Sequence, residues 1–241
     1  MLASQSSRQE KLNIMKAVRI FLKIIYVAMP LTIVMAFLWA PPAALLGDAS
    51  RILYFHVPIA WVSFLAFVVS GILSILHLSG VKKQNGGLDE KAYHSAAIGF
   101  TFTIMTVITG SIWARISWGT FWNWDPRETS IVIILLIYIA YFSLQGALTD
   151  NEKRGRIGST YLILAMVTLP FFVFLVPRLY PSLHPDPIIN ADKKIYLDDH
   201  MKLTLIVGIL SFSILYCYLF DLMNRILVIR KKIEEYRETS N

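Results

Sequence analysis

The sequence lacks the residues for a disulfide, a cysteine-based zinc site or a nucleotide-binding loop. Its single cysteine, Cys217, lies inside an apolar run, so no disulfide and no CxxC motif can form within the chain. No GxxxxGK[ST] sequence occurs either, and that loop is what cradles the phosphates of ATP in P-loop proteins. The chain is therefore not expected to hydrolyse ATP by itself.

Charged residues are also scarce, since Asp, Glu, Lys and Arg make up 16% of the 241 residues while 56% are hydrophobic. The apolar residues form six runs of about 20, the length that crosses a bilayer. The predicted spans are residues 18–39, 58–78, 93–113, 129–148, 158–176 and 201–223. We therefore predict an all-α polytopic membrane protein, a single domain over residues 1–241 built as a bundle of six transmembrane helices.

The formal charge of +7 is interpreted as a topology signal, and no nucleic-acid partner is expected. Most Lys and Arg residues fall in the N-terminal segment, in the turns at 82–91 and 153–156, and in the C-terminal tail. With six spans, these four segments share one side of the membrane. The positive-inside rule therefore predicts that both termini are cytoplasmic. It places the connections after the first, third and fifth spans on the outer side.

The connection after the third span, residues 113–129, reads WARISWGTFWNWDPRET and is predicted to be a short loop. It is rich in aromatic residues: Trp113, Trp118, Phe121, Trp122 and Trp124. Trp residues concentrate at membrane interfaces, so an interface belt is one interpretation. A flat apolar platform for an aromatic or macrocyclic ligand is the other, and composition alone leaves both open.

The same segment ends in a helix start. Asp125 stands at N-cap, Pro126 at N1 and Glu128 at N3, the spacing at which the two acidic side chains satisfy free backbone N–H groups. Capping is thus favoured for Asp125 over a role as a catalytic carboxylate. Arg127 beside it could serve either the helix start or a ligand.

Two histidines lie on the outer side with this aromatic segment. His56 precedes the second span and His184 follows the fifth. A single histidine in such a position is usually an ordinary interfacial residue, but two imidazoles beside an aromatic platform suit a bis-His haem site. Cationic side chains could meet the haem propionates, and the candidates are Arg51, Arg115, Arg127 and Arg178.

The other three histidines have simpler interpretations. His77 and His94 lie near the inner side and are read as interfacial residues at helix ends. His200 follows Asp198 and Asp199, which could suggest a divalent-metal site. Capping of the sixth span by one of these carboxylates is favoured instead.

Two segments resemble a known family. WGTFWNWDPRETS (residues 118–130) resembles the tryptophan-rich WWD signature of haem-handling proteins of cytochrome c biogenesis. SRILYFHVPIAW (residues 50–61) is similar to the CcmC family, haem exporter protein C. The resemblance implies haem b held on the outer face of the bacterial inner membrane, with His56 and His184 as axial iron ligands. The residues then expected to contact the haem are Trp113, Trp118, Phe121, Trp122, Trp124, Asp125 and Arg127.

The resemblance also implies partners and a transfer function without catalysis. In such proteins the haem passes to a membrane-anchored haem chaperone (CcmE-like). An ABC transporter (CcmA/CcmB-like) and a small single-span helper (CcmD-like) complete the machinery.

WNWDPRET also resembles the loop of CcsA-type haem–cytochrome c synthases, so a haem lyase component is an alternative. A b-type electron carrier ranks lower because no span has a histidine near its midpoint. A structural subunit remains if the aromatic segment is only a belt.

Overall fold

The computed structural model describes residues 22–44, 46–80, 87–184 and 197–240. In those ranges the chain forms six long helices and no β-strand: α1 (Leu22–Trp39), α2 (Leu53–Leu78), α3 (Leu88–Trp118), α4 (Pro126–Ala147), α5 (Asn151–Leu179) and α6 (Asp199–Ser240). Each is long and apolar enough to cross a membrane. The prediction of an all-α protein with six spans is therefore confirmed.

Helix α3 is longer than predicted, and the connection after it is correspondingly shorter. The sequence placed the end of this span at Trp113, but the helix continues to Trp118 because no Gly or Pro lies between Trp113 and Gly119. Gly119 adopts φ +83°, and its N–H donates to the Arg115 carbonyl at 3.1 Å. This left-handed cap favours glycine. The connection to α4 therefore covers only residues 119–125.

Helix α5 contains a wide turn after Pro170. A regular α-helix, Asn151–Pro170, passes into a π-helical turn, Phe171–Leu175, and then a last α-helical turn, Val176–Leu179. Pro170 has no N–H to donate within the helix, and a π turn is a usual response to such a defect. Pro177 does not end the helix, because a proline is tolerated in the first turn of the final segment.

The second and sixth spans also extend beyond their predicted bounds. A 3₁₀ turn, Asp48–Ile52, leads directly into α2, so His56 lies in the first turn of α2 and not in front of it. Helix α6 begins at Asp199 and continues to Ser240, well past the predicted end at residue 223. Its start is capped by Asp198, whose carboxylate accepts the N–H of His200 at 2.8 Å, as the sequence indicated.

Helix α2 lies at the centre of the bundle and contacts α3, α5 and α6. The small and hydroxyl residues of α3 allow this close approach. Ser95 Oγ donates to the Ala66 carbonyl at 2.6 Å, and a Cβ on Gly99 would lie 2.6 Å from the Phe67 ring. This packing fixes the first turn of α2 beside the last turns of α3, where α4 begins and α5 ends.

Candidate functional site

A cavity of about 510 Å³ lies between the start of α2, the end of α3, the start of α4 and the end of α5. Its wall is mainly aliphatic and aromatic, and it includes these polar or aromatic side chains: His56, Trp113, Trp122, Arg127, Glu128, Arg178 and His184. An apolar cavity of this size with a few convergent polar groups is typical of a small-molecule site. The two histidines singled out from the sequence therefore line one cavity.

His56 is held by a hydroxyl group on α3. Its Nδ1 lies 2.9 Å from Thr109 Oγ1, and the same Oγ1 lies 2.8 Å from the carbonyl oxygen of Met105. A carbonyl can only accept, so the single hydroxyl proton goes to Met105 and Thr109 must accept from the imidazole. This geometry assigns the proton of His56 to Nδ1. Its Nε2 then carries a lone pair suited to a metal ligand.

Gly110 provides the space for the His56 ring. A Cβ on this glycine would lie 3.1 Å from His56 Cε1, closer than ordinary van der Waals contact. Two adjacent residues of α3 thus define the position of the imidazole, Thr109 by a hydrogen bond and Gly110 by the absence of a side chain. Neither residue was predicted from the sequence to support His56.

His184 is held in a short turn beyond α5 by one carboxylate. Its Nδ1 lies 2.8 Å from Asp125 Oδ1. The other oxygen, Oδ2, accepts from Ser182 Oγ at 2.8 Å and from the N–H of Leu183 at 2.7 Å. Asp125 is 4% exposed, so the carboxylate itself is sheltered from water. The turn at 182–184 is therefore fastened to the start of α4.

Asp125 also has the capping role that the sequence predicted. Its Oδ1 accepts the N–H of Arg127 at 2.9 Å. Glu128 Oε2 accepts the N–H of Asp125 at 3.2 Å and that of Asn123 at 2.8 Å, which completes a capping box. The capping prediction is confirmed. Residue spacing gave no sign that the same carboxylate also holds a histidine 59 residues further along the chain.

The electrostatics of this pair favour a neutral imidazole beside an ionised carboxylate. Burial tends to raise the pKa of Asp125, but hydrogen bonds from Arg127, Leu183 and Ser182 outweigh it and leave the pKa below its usual value. Burial lowers the pKa of His184, the nearby Arg127 adds to this, and Asp125 only partly opposes it. At neutral pH, His184 therefore donates Nδ1–H to the carboxylate and retains a lone pair on Nε2.

Two tryptophans of α3 pack around His184. The ring of Trp113 lies 5.6 Å from the imidazole and that of Trp118 lies 4.8 Å from it, centroid to centroid. The two indoles meet edge to face at 4.9 Å. Trp122 lies in the cavity wall and meets Trp124 edge to face at 5.8 Å.

The other predicted aromatic contacts lie further out. Phe121 is 60% exposed and has the Arg115 guanidinium 5.7 Å from its ring centroid. Trp124 is 70% exposed and has φ +56°, a backbone conformation uncommon for a residue other than glycine. Neither side chain belongs to the cavity wall. The aromatic segment is thus divided between the cavity wall and an exposed rim.

The four arginines proposed from the sequence also separate into two groups. Arg127 and Arg178 line the cavity. Arg178 also donates to the Phe174 carbonyl at 2.7 Å. Arg51 and Arg115 are not part of the cavity wall: Arg51 donates to the Ala36 carbonyl at 2.6 Å and forms an ion pair with Asp48 at 2.8 Å, and the Arg115 guanidinium donates to the Gly119 carbonyl. Among the described residues, the cavity wall therefore includes two cationic side chains, Arg127 and Arg178.

The remaining histidines contact other partners. His77 Nδ1 lies 3.5 Å from Asp89, and His94 Nδ1 lies 3.0 Å from Asn224 Oδ1, both at the end of the bundle opposite the cavity. His200 bonds Asp198 at 3.0 Å and packs against Trp39. No group of three or more His, Cys, Asp or Glu residues that could hold a metal ion occurs in the described ranges.

Comparison with known proteins gives one consistent result. Residues 2–239 match the family model described as "Heme exporter protein C". The chain is 29% identical over 187 residues to the Heme exporter protein C of Bradyrhizobium diazoefficiens. This alignment covers 78% of this chain and 70% of the relative. It is 29% identical over 216 residues to the protein of the same name from Rhodobacter capsulatus, covering 86% and 85%.

A plant relative is similar over nearly the same share of the chain. The "Putative cytochrome c biosynthesis ccmC-like mitochondrial protein" of Arabidopsis thaliana is 31% identical over 189 residues, covering 76% of this chain and 67% of the relative. The family match includes all six helices and both sequence motifs.

Proposed function

Because the chain belongs to the Heme exporter protein C family, and so to the haem-handling proteins of cytochrome c maturation, we propose that its cavity binds haem for delivery to a haem chaperone. The observation that carries this proposal is the pair of imidazoles in the cavity wall. Both His56 and His184 use Nδ1 for the hydrogen bonds described above. Both therefore offer Nε2 to an iron atom.

The donor set suits haem as a transported cargo. A bis-His haem takes only two protein ligands because the porphyrin supplies the other iron positions, so the lack of a larger metal cluster in the described ranges is no obstacle. The apolar wall, with Trp113 and Trp122, matches the faces of a porphyrin. Arg127 and Arg178 are the cations placed to meet its carboxylates.

The two proposed ligands are supported in different ways. His56 is part of a central helix that packs on three others. His184 lies in a turn whose position depends on the hydrogen bonds of Asp125. A carrier must capture haem and also release it. We propose that the turn carrying His184 moves away from the iron when haem is released, because moving a turn costs less free energy than moving a packed helix.

The charge distribution supports a location on the outer face. The cavity lies at one end of the bundle, whereas Lys153, Arg154, Arg156 and the basic end of α6 belong to the opposite end. By the positive-inside rule, that basic end and both termini would be cytoplasmic. The cavity would then face the periplasm of a bacterial inner membrane, where the chaperone, the ABC transporter subunits and the single-span helper are the proposed partners.

The test is the haem content and absorption spectrum of the purified chain. We expect a b-type spectrum in the parent protein, and a loss of most bound haem in His56→Ala and in His184→Ala, because each removes an iron ligand. His94→Ala is the matched control, since its ring bonds Asn224 at the far end of the bundle. The proposal is wrong if the first two variants keep the haem content and spectrum of the parent.

Thr109→Val tests how His56 is held. Valine has nearly the shape of threonine but cannot accept the imidazole N–H, so the ring loses its fixed orientation and its tautomer. Loss of such a supporting partner typically lowers metal affinity by about 10–100-fold. We expect a fall of that order in haem affinity, measured by haem titration, with little change in thermal stability.

Thr101→Val is the control for this substitution. Thr101 lies on the same helix and makes the same type of hydrogen bond, from Oγ1 to the Ala97 carbonyl at 3.0 Å, but it is exposed and far from His56. Equal haem affinities in the two variants would show that Thr109 does not position the ligand.

A further inference from the structure

Helix α6 is too long to be explained by membrane crossing alone. Its 42 residues give a length of about 63 Å at 1.5 Å per residue, whereas the hydrocarbon core of a bilayer is about 30 Å thick. The helix starts at the polar group Asp198–His200 and meets an ion pair between Arg225 and Asp221, 2.7 Å apart, after some twenty apolar residues. Its last part therefore continues as a helix beyond the bilayer.

This last part carries a row of exposed aliphatic side chains, which we call the C-terminal seam. It consists of Leu222, Ile226, Ile229 and Ile233. Their spacings of four, three and four residues are those of d and a positions in a heptad repeat. Each is between 38% and 57% exposed.

The seam points away from the part of the bundle that the structure describes. On the opposite side of the same helix, Asn224 bonds His94 at 3.0 Å and Lys231 pairs with Glu90 at 2.5 Å. Asn224 and Lys231 are seven residues apart and both occupy the f position of the heptad, which lies opposite a and d. Helix α3 therefore covers the back of this segment and leaves the seam facing outward.

Lipid is a poor candidate to cover the seam. If the hydrocarbon core ends near Leu222, Ile229 and Ile233 lie roughly 10 and 16 Å beyond it along the helix. The headgroup layer is only about 5–8 Å thick on each side. Because the helix continues without interruption away from the membrane, these side chains do not contact the bilayer surface.

The charges beside the seam determine which protein could cover it. The e and g positions that border a heptad seam are occupied largely by basic residues: Arg225, Arg230, Lys232 and Arg237. A second copy in the same membrane would pack in parallel, and would place Arg225 against Arg230 and Lys232 against Arg237 of the other copy. Like charges in such pairs repel, so self-association is disfavoured.

We propose that the C-terminal seam is a docking surface for an amphipathic helix of a partner protein that carries Glu or Asp beside its own apolar seam. The apolar rows would pack as a short two-stranded coiled coil, and the acidic flanks would pair with Arg230, Lys232 and Arg237. The occupant is thus a protein helix of acidic character. This proposal does not depend on haem binding at the opposite end of the bundle.

The direct test uses a defined peptide and the full-length chain in phosphatidylcholine nanodiscs. The probe is a fluorescent three-heptad peptide with Ile and Leu at a and d and Glu at every e and g position, and the control peptide has Lys at e and g. We expect fluorescence anisotropy to show binding of the Glu peptide on the order of tenfold tighter than that of the Lys peptide. Equal binding of both peptides, or binding of neither, would overturn the proposal.

Variants of the chain then test whether the preference for the Glu peptide arises at the seam. The charge reversal R230E/K232E/R237E should invert the preference between the two peptides, and Ile233→Lys should abolish binding of both. Glu234→Lys with Glu235→Lys is the control, because these residues occupy positions b and c, away from the e and g flanks. A preference that survives the charge reversal unchanged would contradict the proposed pairing.

A labelling experiment tests whether the membrane surface or a second copy of the chain covers the seam instead. Ile233→Cys is introduced in a Cys217→Ala background and exposed to a maleimide. We expect full labelling in nanodiscs with or without anionic phosphatidylglycerol, and protection only by the Glu peptide. Protection by the anionic lipid alone would assign the seam to the membrane surface. Disulfide-linked dimers through residue 233 would assign it to a second copy, and either result would refute the proposal.

Discussion

Asp125→Ala is expected to remove most haem binding and to weaken the fold around the cavity. The substitution deletes the acceptor for His184 Nδ1, for Ser182 Oγ and for the N–H of Leu183, and it removes the N-cap of α4. Loss of an N-cap costs about 1 kcal/mol, and each buried donor left without a partner adds roughly 1–3 kcal/mol. Because the turn at 182–184 is partly exposed, water can replace the acceptor for some of these donors. We therefore expect the free energy of unfolding to fall by about 2–4 kcal/mol, the sum for the cap and one unsatisfied donor, and haem affinity to fall by at least an order of magnitude.

Asp150→Ala separates the loss of a cap from the loss of the histidine support. Asp150 caps α5 in the same way, since its Oδ1 accepts from Glu152 N at 2.9 Å and from Lys153 N at 3.0 Å, but it lies at the far end of the bundle. This control should lower thermal stability modestly and leave haem titrations unchanged. If Asp150→Ala and Asp125→Ala reduce haem affinity equally, Asp125 does not act through His184.

Asp125→Asn refines the same test. The amide keeps the size of the side chain, but its NH₂ group must face either the donors at 182–183 or the donors at Arg127 and His184. We expect a smaller loss of thermal stability than in Asp125→Ala and a comparable loss of haem. Normal haem affinity in this variant would show that a charged acceptor is not needed to hold the turn.

Gly110→Val is expected to have the second-largest effect on haem binding, with little effect on the fold. Its Cβ would lie 3.1 Å from His56 Cε1, and its two methyl groups would displace the imidazole from Thr109 and from its place in the cavity wall. Valine is no worse than glycine in a helix interior, so the helix itself should remain stable. We expect a fall in haem affinity on the order of tenfold to a hundredfold.

Gly146→Val is the matched control. It makes the same substitution within a transmembrane helix, but beyond the neighbouring backbone of its own helix a Cβ at Gly146 would have no atom within 4 Å. Gly110→Ala should give an intermediate result, because one methyl group requires the ring to move by only a few tenths of an ångström. Haem affinities that do not follow the order Gly146→Val, Gly110→Ala, Gly110→Val, from tightest to weakest, would show that space beside His56 is not limiting.

Much of the fold followed from local sequence patterns. Runs of apolar residues predict spans because a membrane requires about twenty of them in succession, and all six helices were located. The N-cap of α4 followed from the spacing of Asp125, Pro126 and Glu128. Helix ends were less accurate, as α3 and α6 show. Hydropathy marks where a helix can cross lipid, whereas a helix continues into water wherever no residue stops it.

The candidate site was only partly accessible from the sequence. His56, His184 and the aromatic segment stood out as residue types in suitable order, and the structure places both histidines, Trp113 and Trp122 in one cavity wall. The order of residues did not reveal that Phe121 and Trp124 are largely exposed. That division depends on where α3 stops and how the 119–125 connection turns, which are properties of the folded chain.

The sequence by itself determined the number of spans, the start of α4 and the residue types available for a haem site, because hydropathy and capping depend on neighbouring residues. Only the tertiary structure decided how the ligands are held. Thr109 reaches His56 across 53 residues, and Asp125 reaches His184 across 59. Such contacts arise when α2, α3 and α5 pack together through small side chains, and residue spacing carries no information about which distant polar groups that packing brings within hydrogen-bond distance.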